Sequence, residues 1–492
     1  MQRFPLATVQ VQAPILFAIG MMIGASWYFL IEFEPDFRVL LSVFGLSALA
    51  VLTARPRGIA PGMMIGLWII LGTSSGALSG GLATQRVQHV SIVQETGPVL
   101  LEGWVQAALP AKRGVRLRIK VHAIDGLDQN QTPPIVRVTH ISTLETEPGR
   151  FVRCWVVLRP PPAPVIKGDY AFDRQAWYGG LGGVGYVQGR CRGGAIGTPR
   201  NAFAALMLQI SKARRQLAQH VFERAGTRSG GFAAALASGD RSFMAQADQE
   251  ALRGAGLAHL LAISGLHMGI VGGLVFLIVW RGLALVEPVA LRLPVKKLGA
   301  VAALVACATY LILSGASVST QRAFVMAAIL FGAVLIDRTA LSLRSLAIAM
   351  VVILVLAPWS VLTPGFQMSF AATGALVATY ERWNTRRRNA LKTQSSGVTF
   401  WIKSLIVTST VSSFATMPFA LYHFERAAPL GLIANLFAMP IVSLVTAPSA
   451  AAALLLAPLG LDGLALRALG VSLWLILEIA HFFSQWDVDA WI

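Results

Sequence analysis

Apolar runs long enough to cross a bilayer recur from one end of this chain to the other, and a run of that length leaves the backbone little choice but helix. A hydrocarbon core about 30 Å thick takes roughly 20 residues of helix. Inside it every backbone N–H and C=O must be bonded within the segment. Candidate spans are 13–31, 37–53 and 59–82, then 259–280, 298–314, 322–336, 345–357, 365–380, 400–422, one or two within 430–459, and 466–483. Pro440, Pro448 and Pro458 interrupt 430–459, which leaves a broken or re-entrant helix open there. Only 13% of the residues are charged, against about 25% in soluble domains. The fold class is therefore a polytopic α-helical membrane protein. The first apolar run lacks a small-residue cleavage site and reads as an uncleaved span.

Charge orients the spans. EFEPD follows the first and ARPRG the second, so the acidic loop belongs outside and the basic one inside. The third span then exits to the outside. Three later loops are basic, with Arg281, Arg292, Lys296 and Lys297, then Arg338 and Arg344, then Arg382, Arg386, Arg387, Arg388 and Lys392. They all fall inside if the segment from His259 enters from outside, in agreement with the first three spans.

Residues 84–200 differ. No run there is long enough to span, and VRLRIKVHAI, IVRVTHI and RFVRCWVVL alternate between Gly, Pro and Asp breaks. Those are strand signals, and five or six short strands suggest a small barrel or sandwich inserted between membrane domains. Residues 84–228 hold 20 Lys or Arg against 9 Asp or Glu. The positive-inside rule does not explain a basic domain that faces out. It points either to an anionic partner, nucleic acid or lipid headgroups, or to a solvated basic face. Cys154 and Cys191 share this segment, so a single disulfide is open if it is extracytoplasmic. Cys307 lies in an apolar run and reads as packing. Residues 201–238 follow as linker helices. The first, 202–224, is amphipathic, with Phe203, Leu206, Ile210, Leu217 and Val221 alternating with Lys212, Arg214, Arg215 and Arg224. It lies on a membrane surface or packs on the barrel.

The stretch 239–273, GDRSFMAQADQEALRGAGLAHLLAISGLHMGIVGG, turns from polar to membrane-apolar. Asp240, Arg241 and Ser242 follow a helix stop at Gly239. Either Asp240 or Ser242 caps the next helix, or the three form a polar patch beside the mouth at His259. Gly265, Gly269 and Gly273 make a smooth helix face for a neighbouring helix. Ser264 and His267 share a face. They read as a nucleophile and base, as helix-packing polar groups, or as the lining of a water-filled path, and the last two readings are preferred. Arg322 in SVSTQRAF, Gln367 in GFQMSFAATGA and Asn435 in NLFAMP are each ordinary membrane-helix polar groups, but together they make a polar interior path. The eight histidines show no metal-ligand spacing and no phosphate-binding glycine loop occurs, so neither a metal, another cofactor nor ATP hydrolysis is expected.

GDRS followed by E..R.AGL.HLLAISGLHMG, then RAFVM, GFQMSFAATGA, TMPF and N.FAMP in order, resembles the ComEC family of inner-membrane competence proteins for DNA uptake. GDYAFDRQAWYGGLGGVGYV resembles the end of that family's OB-fold domain. The likeness covers almost the whole chain. It implies an extracytoplasmic OB-fold that binds DNA over 84–200, three N-terminal spans in 1–83, and a channel domain in 239–492 that passes one strand to the cytoplasm. Asp240, Arg241, Ser242, His259, Ser264, His267, Arg322, Gln367 and Asn435 would line its path. The family's OB domain also carries a disulfide, which suits Cys154 and Cys191. The implied partners are single-stranded DNA, membrane lipid, a periplasmic DNA receptor, a cytoplasmic ATPase or helicase, a separate nuclease, and a second copy of the chain. Many members end in a metallo-β-lactamase-like domain, but its HxHxDH motif is absent here, so nuclease activity is not implied. The expected function is translocation of single-stranded DNA across the cytoplasmic membrane, without enzymatic activity. Two alternatives stand beside it: an intramembrane serine hydrolase using Ser264 and His267, which a fluorophosphonate probe would label, and a small-solute permease, whose outer domain would not bind DNA.

Overall fold

The computed structural model describes residues 6–54, 60–110, 114–141, 149–164, 171–193, 202–261, 263, 265–337, 342–389, 397–424, 428 and 430–486. In chain order, three helices, α1 (Leu6–Leu30), α2 (Phe37–Ala54) and α3 (Pro61–Arg86), precede strands β1 (Val99–Pro110), β2 (Val115–Ile124), β3 (Ile135–His140) and β4 (Phe151–Arg159). A short helix α4 (Phe172–Tyr178) leads to β5 (Leu181–Gly193), then come α5 (Ala202–Ala225), α6 (Gly230–Ser238), α7 (Gln246–Gly254) and α8 (Ala258–Leu261). The rest is helical: α9 (Gly265–Ala284), α10 (Glu287–Arg292), α11 (Val295–Leu313), α12 (Val318–Leu335), α13 (Leu343–Leu356), α14 (Pro364–Asn389), α15 (Gly397–Phe424), α16 (Gly431–Ile441), α17 (Ala447–Leu456) and α18 (Gly463–Ser484).

These elements form two compact units. One comprises Met1–Ala83, Glu250–Ile312 and Ala316–Ile492; the other comprises Thr84–Gln249 with Leu313–Gly315. Among the described residues, nine helical segments, all in or largely in the first unit, are long and apolar enough to cross a membrane. The chain is thus a multi-pass membrane protein.

Three expected spans come out differently: 259–280, 365–380, and 345–357, which is α13, an apolar helix of 14 residues that is not among the nine. The span expected from His259 begins instead at Gly265, because α8 ends at Leu261. Of the one or two spans expected within 430–459, the structure has one, the apolar helical segment Gly431–Leu459, and not a re-entrant loop. Pro440 removes one backbone donor, and the ladder widens to a π-helical stretch over Val442–Thr446 instead of breaking. The 365–380 region belongs to α14, which continues to Asn389 and is not among the nine.

Helix packing in this unit relies on small residues. A Cβ placed on Gly20 or Gly24 of α1 would lie 2.3 Å or 1.8 Å from the carbonyls of Ile69 or Thr73, and one on Gly72 or Gly76 of α3 would lie 2.2 Å or 2.1 Å from those of Phe17 or Met21. Both helices carry glycine at a spacing of four, so backbone meets backbone. By contrast, the expected neighbour of Gly265, Gly269 and Gly273 is not there. Among the described residues no atom lies within 4 Å of a Cβ built on any of them. It is Gly272 that meets a neighbour, Cys307 Sγ at 2.6 Å and the Phe331 ring at 2.8 Å. The glycine face is therefore open, and α9 packs against α12 one residue away from it.

In the second unit the five strands close into a barrel in the order β1-β2-β3-β5-β4. All neighbours are antiparallel except β3 and β5. Alternation sets the faces: Val136 and Val138 of β3 point in, while Arg137 and Thr139 are only half-buried. Leu101, Leu117, Ile119, Val152, Val156 and Leu158 complete the core. Cys154 and Cys191 lie in that core and are disulfide-bonded, which ties β4 to β5 across 37 residues of chain. On α5, Ala218, Val221 and Ala225 are buried while Leu206 and Met207 are exposed. Leu208 fills the space above Gly149, so this helix packs on its own unit.

Candidate nucleic-acid interface and polar path

The outward face of the barrel interleaves rings and cations. Arg116, Arg118, Lys120 and His122 alternate along β2. Lys120 stands opposite Trp104 on β1, and Trp104 stands opposite Phe151 on β4. Trp104 packs edge-on against Phe151 at 5.2 Å and against His122 at 5.3 Å. A bulge in β2 leaves His122 without a partner between the pairs Glu102–Ala123 and Gly103–Val121, and admits it to this cluster. On the other side Arg118 faces Arg137 across the β2–β3 register. Burial lowers the Arg118 pKa, and its Nη2 donates to the Gly179 carbonyl at 2.8 Å. Arg137 lies 4.4 Å from the centre of the Phe172 ring. Cations directly opposed on one face repel, and an anion laid across them relieves that repulsion. Arg153 and Arg159 are partly neutralised, by Glu102 and Glu95 at 2.8 Å each. The hydrogen bond and charge of Glu95 raise the Arg159 pKa.

Asp240, Arg241 and Ser242 also belong to this unit. Gly239 closes α6 at φ +72°, as the sequence suggests. The Asp240 carboxylate then accepts the Ser242 N–H at 2.9 Å, while the Asp240 N–H donates to Ser238 Oγ at 3.2 Å. Neither residue caps the next helix, since α7 begins only at Gln246; the carboxylate closes its own turn instead. Arg214 of α5 holds this turn. Its Nη2 donates to the Ser238 carbonyl at 3.1 Å and its Nε to that of Leu313 at 2.9 Å. Burial lowers its pKa, and the Asp240 charge opposes that shift. Amphipathic spacing marks Arg214 only as a cation on a polar face and cannot show this role.

The other path residues lie in the helical unit. His259 is exposed on α8, its Nδ1 3.3 Å from the Gly256 carbonyl. Ser264 lies outside the described residues. His267 is half-buried in the first turn of α9, beside the fully buried Met268. Arg322 is buried on α12. Gln367 Oε1 accepts from His423 Nε2 at 2.7 Å, and its Nε2 donates to the Val361 carbonyl at 3.2 Å. Asn435 Nδ2 donates to Ser409 Oγ at 3.0 Å, and among the described residues its buried Oδ1 has no hydrogen-bond partner. The sequence reading missed His423 and Ser409 as partners; a polar residue facing another across two apolar helices was the available signal. It also missed Glu478, an ionisable side chain inside α18, which its position in a span alone should have flagged.

A family model described as "Competence protein" matches residues 236–492. Among curated proteins, the chain is 26% identical over 229 residues to ComE operon protein 3 of Bacillus subtilis (strain 168), covering 46% of this chain and 26% of that protein. It is 27% identical over 287 residues to Recombination protein 2 of Haemophilus influenzae, covering 56% of this chain and 33% of the relative. The alignments thus span a third or less of these relatives' lengths. No solved structure matches.

Proposed function

Because the chain belongs to the competence protein family, whose model covers residues 236–492, we propose that it takes part in DNA uptake during transformation, as the membrane component through which a single strand passes. The observation that carries this reading is the barrel face on which Lys120 opposes Trp104, flanked by Phe151, His122, Arg116 and Arg118. Rings give bases a surface to stack on, and cations follow the phosphates, without sequence preference. The closed order with one parallel pair, β3 with β5, supports an OB-fold-like domain, a class that presents its β2–β3 face to oligonucleotides. The buried Cys154–Cys191 bond supports an oxidising, extracytoplasmic side for this domain. The membrane would then be the cytoplasmic one, and movement of the strand would need a cytoplasmic ATPase.

Within the helical unit, His259, His267, Arg322, Gln367 and Asn435 would line the route, and Asp240, Arg241 and Ser242 of the other unit are further candidates for contact with the strand. The direct test is binding of fluorescent oligothymidylate to the full chain in detergent. Trp104→Ala should weaken binding by about 1–3 kcal/mol, and Lys120→Ala combined with Arg116→Ala should weaken it further. Unchanged affinity in both variants rules out this face. In a host whose transformation depends on this chain, His267→Ala and Arg241→Ala should lower transformation frequency at normal protein levels. Wild-type frequency in both would remove them from the route.

A further inference from the structure

Arg322 enters the interior of the helical unit on the second turn of α12, where 8% of the residue remains exposed. Among the described residues its Nε has no hydrogen-bond partner and it makes no ion pair. A buried cation left without an anion is strongly unfavourable. The structure shows where this one is aimed. A Cβ built on Gly365 would lie 3.1 Å from its Nη1 and 3.3 Å from its Nη2.

Gly365 is the second residue of α14, a helix of 26 residues. Thr363 caps that helix: its Oγ1 accepts the Phe366 N–H at 3.4 Å and its carbonyl accepts the Gln367 N–H at 3.2 Å. Pro364 has no N–H to satisfy. The Gly365 N–H, at the second helical position, has no acceptor within its own helix. A helix start carries roughly half a positive charge. A full cation and the positive end of a helix therefore meet here, an arrangement that is repulsive until an anion lies between them. In the turn leading to the cap, Ser360 Oγ is also buried and, among the described residues, has no hydrogen-bond partner.

We propose that Arg322 and the start of α14 at Gly365 form a phosphate-binding site, occupied in the working protein by one phosphodiester of the passing strand. The strand as occupant rests on the function proposed above; the site itself rests on the geometry. A guanidinium presents paired donors that match two phosphate oxygens, and a helix N-terminus offers backbone donors to the same group. Gly365 keeps that approach free of side chain.

The test uses the full chain in phosphate-free detergent. Its thermal midpoint is measured with inorganic phosphate, with oligothymidylate, and with dihexanoyl phosphatidylglycerol as a lipid headgroup source. In the wild type, phosphate and oligothymidylate should both raise the midpoint. Arg322→Gln and Gly365→Val should each weaken phosphate binding by at least about tenfold, the scale of a lost charged hydrogen bond. Arg322→Lys, which keeps the charge but not the fork, should fall between and remains informative if the valine variant does not fold. Arg215→Ala, which removes an exposed cation outside both proposed sites, should leave the phosphate response unchanged. An equal phosphate response in wild type, Arg322→Gln and Gly365→Val overturns the site. Stabilisation by the lipid analogue but not by oligothymidylate, lost in Arg322→Gln, overturns the strand as occupant. If Arg322→Gln lowers transformation yet leaves the phosphate response intact, the site fails while the channel reading survives.

Discussion

Gly256 sits at φ +70°, in the turn between α7 and α8, and a Cβ there would lie 3.0 Å from both Ala428 Cβ and Gly431 Cα. Two costs therefore add on substitution. A left-handed conformation costs an L-residue about 1–2 kcal/mol, and the contact at the start of α16 must open as well. Gly256→Ala should lower the thermal stability of the full chain by at least that amount, read from its unfolding midpoint in detergent. An unchanged midpoint would show that this turn does not bear on the packing of α16. Arg214→Ala should be costly for a different reason, because two carbonyls, those of the buried Ser238 and the half-buried Leu313, lose a charged donor. At about 1–3 kcal/mol per charged bond, its effect on the midpoint should exceed that of Arg215→Ala on the same helix. In the sequence, Gly239 is readable as a helix stop, because a glycine after FAAALAS has one obvious use. The partner of Arg214 is not readable, because its acceptors are backbone carbonyls 24 and 99 residues away, and every residue has a carbonyl.

Elements pack by which face they present, and spacing alone does not determine that. Gly265, Gly269 and Gly273 repeat as regularly as Gly20–Gly24 and Gly72–Gly76, yet only the latter pairs meet a neighbouring backbone. The spans themselves were legible, since apolar length is a local property. The partner face was not, since it depends on where two distant helices cross. Gly72→Leu should therefore destabilise the protein by more than the 1–3 kcal/mol typical of overpacking. Gly45→Leu, at a site with nothing within 4 Å among the described residues, should be nearly neutral. The yield of monodisperse chain on size exclusion distinguishes them, and equal yields would overturn the α1–α3 contact. Among the strands, the disulfide between β4 and β5 closes a loop of 37 residues, worth about 3–4 kcal/mol in a chain-entropy account. Reduction should lower the barrel's unfolding midpoint, while the Cys154→Ser, Cys191→Ser double variant should not respond to reductant. A response in that variant would mean the reductant acts elsewhere.

At the scale of the whole molecule, a formal net charge of +18 makes binding of any strand a salt-dependent property. With a slope near −0.7 per phosphate for single strands, contact with about four phosphates costs roughly fifty-fold in affinity between 50 and 200 mM salt. A flat salt response would argue that stacking alone holds the strand. The division into a β-rich segment within a helical chain was visible from its alternating stretches and its lack of spanning runs, whereas the order of its strands was not. Strand order is a matter of long-range pairing, and β5, the last strand made, has β3 and β4 as its neighbours. That order has a consequence for synthesis. Until β5 emerges, β3 and β4 each expose an unpaired edge, and an unpaired edge is a template for misassembly. The three helices ahead of the barrel are made first, so the nascent chain is already anchored while its barrel stands open. Barrel closure waits for the last of its five strands, and a delay in synthesis after β4 should be the moment at which this protein is most prone to aggregate.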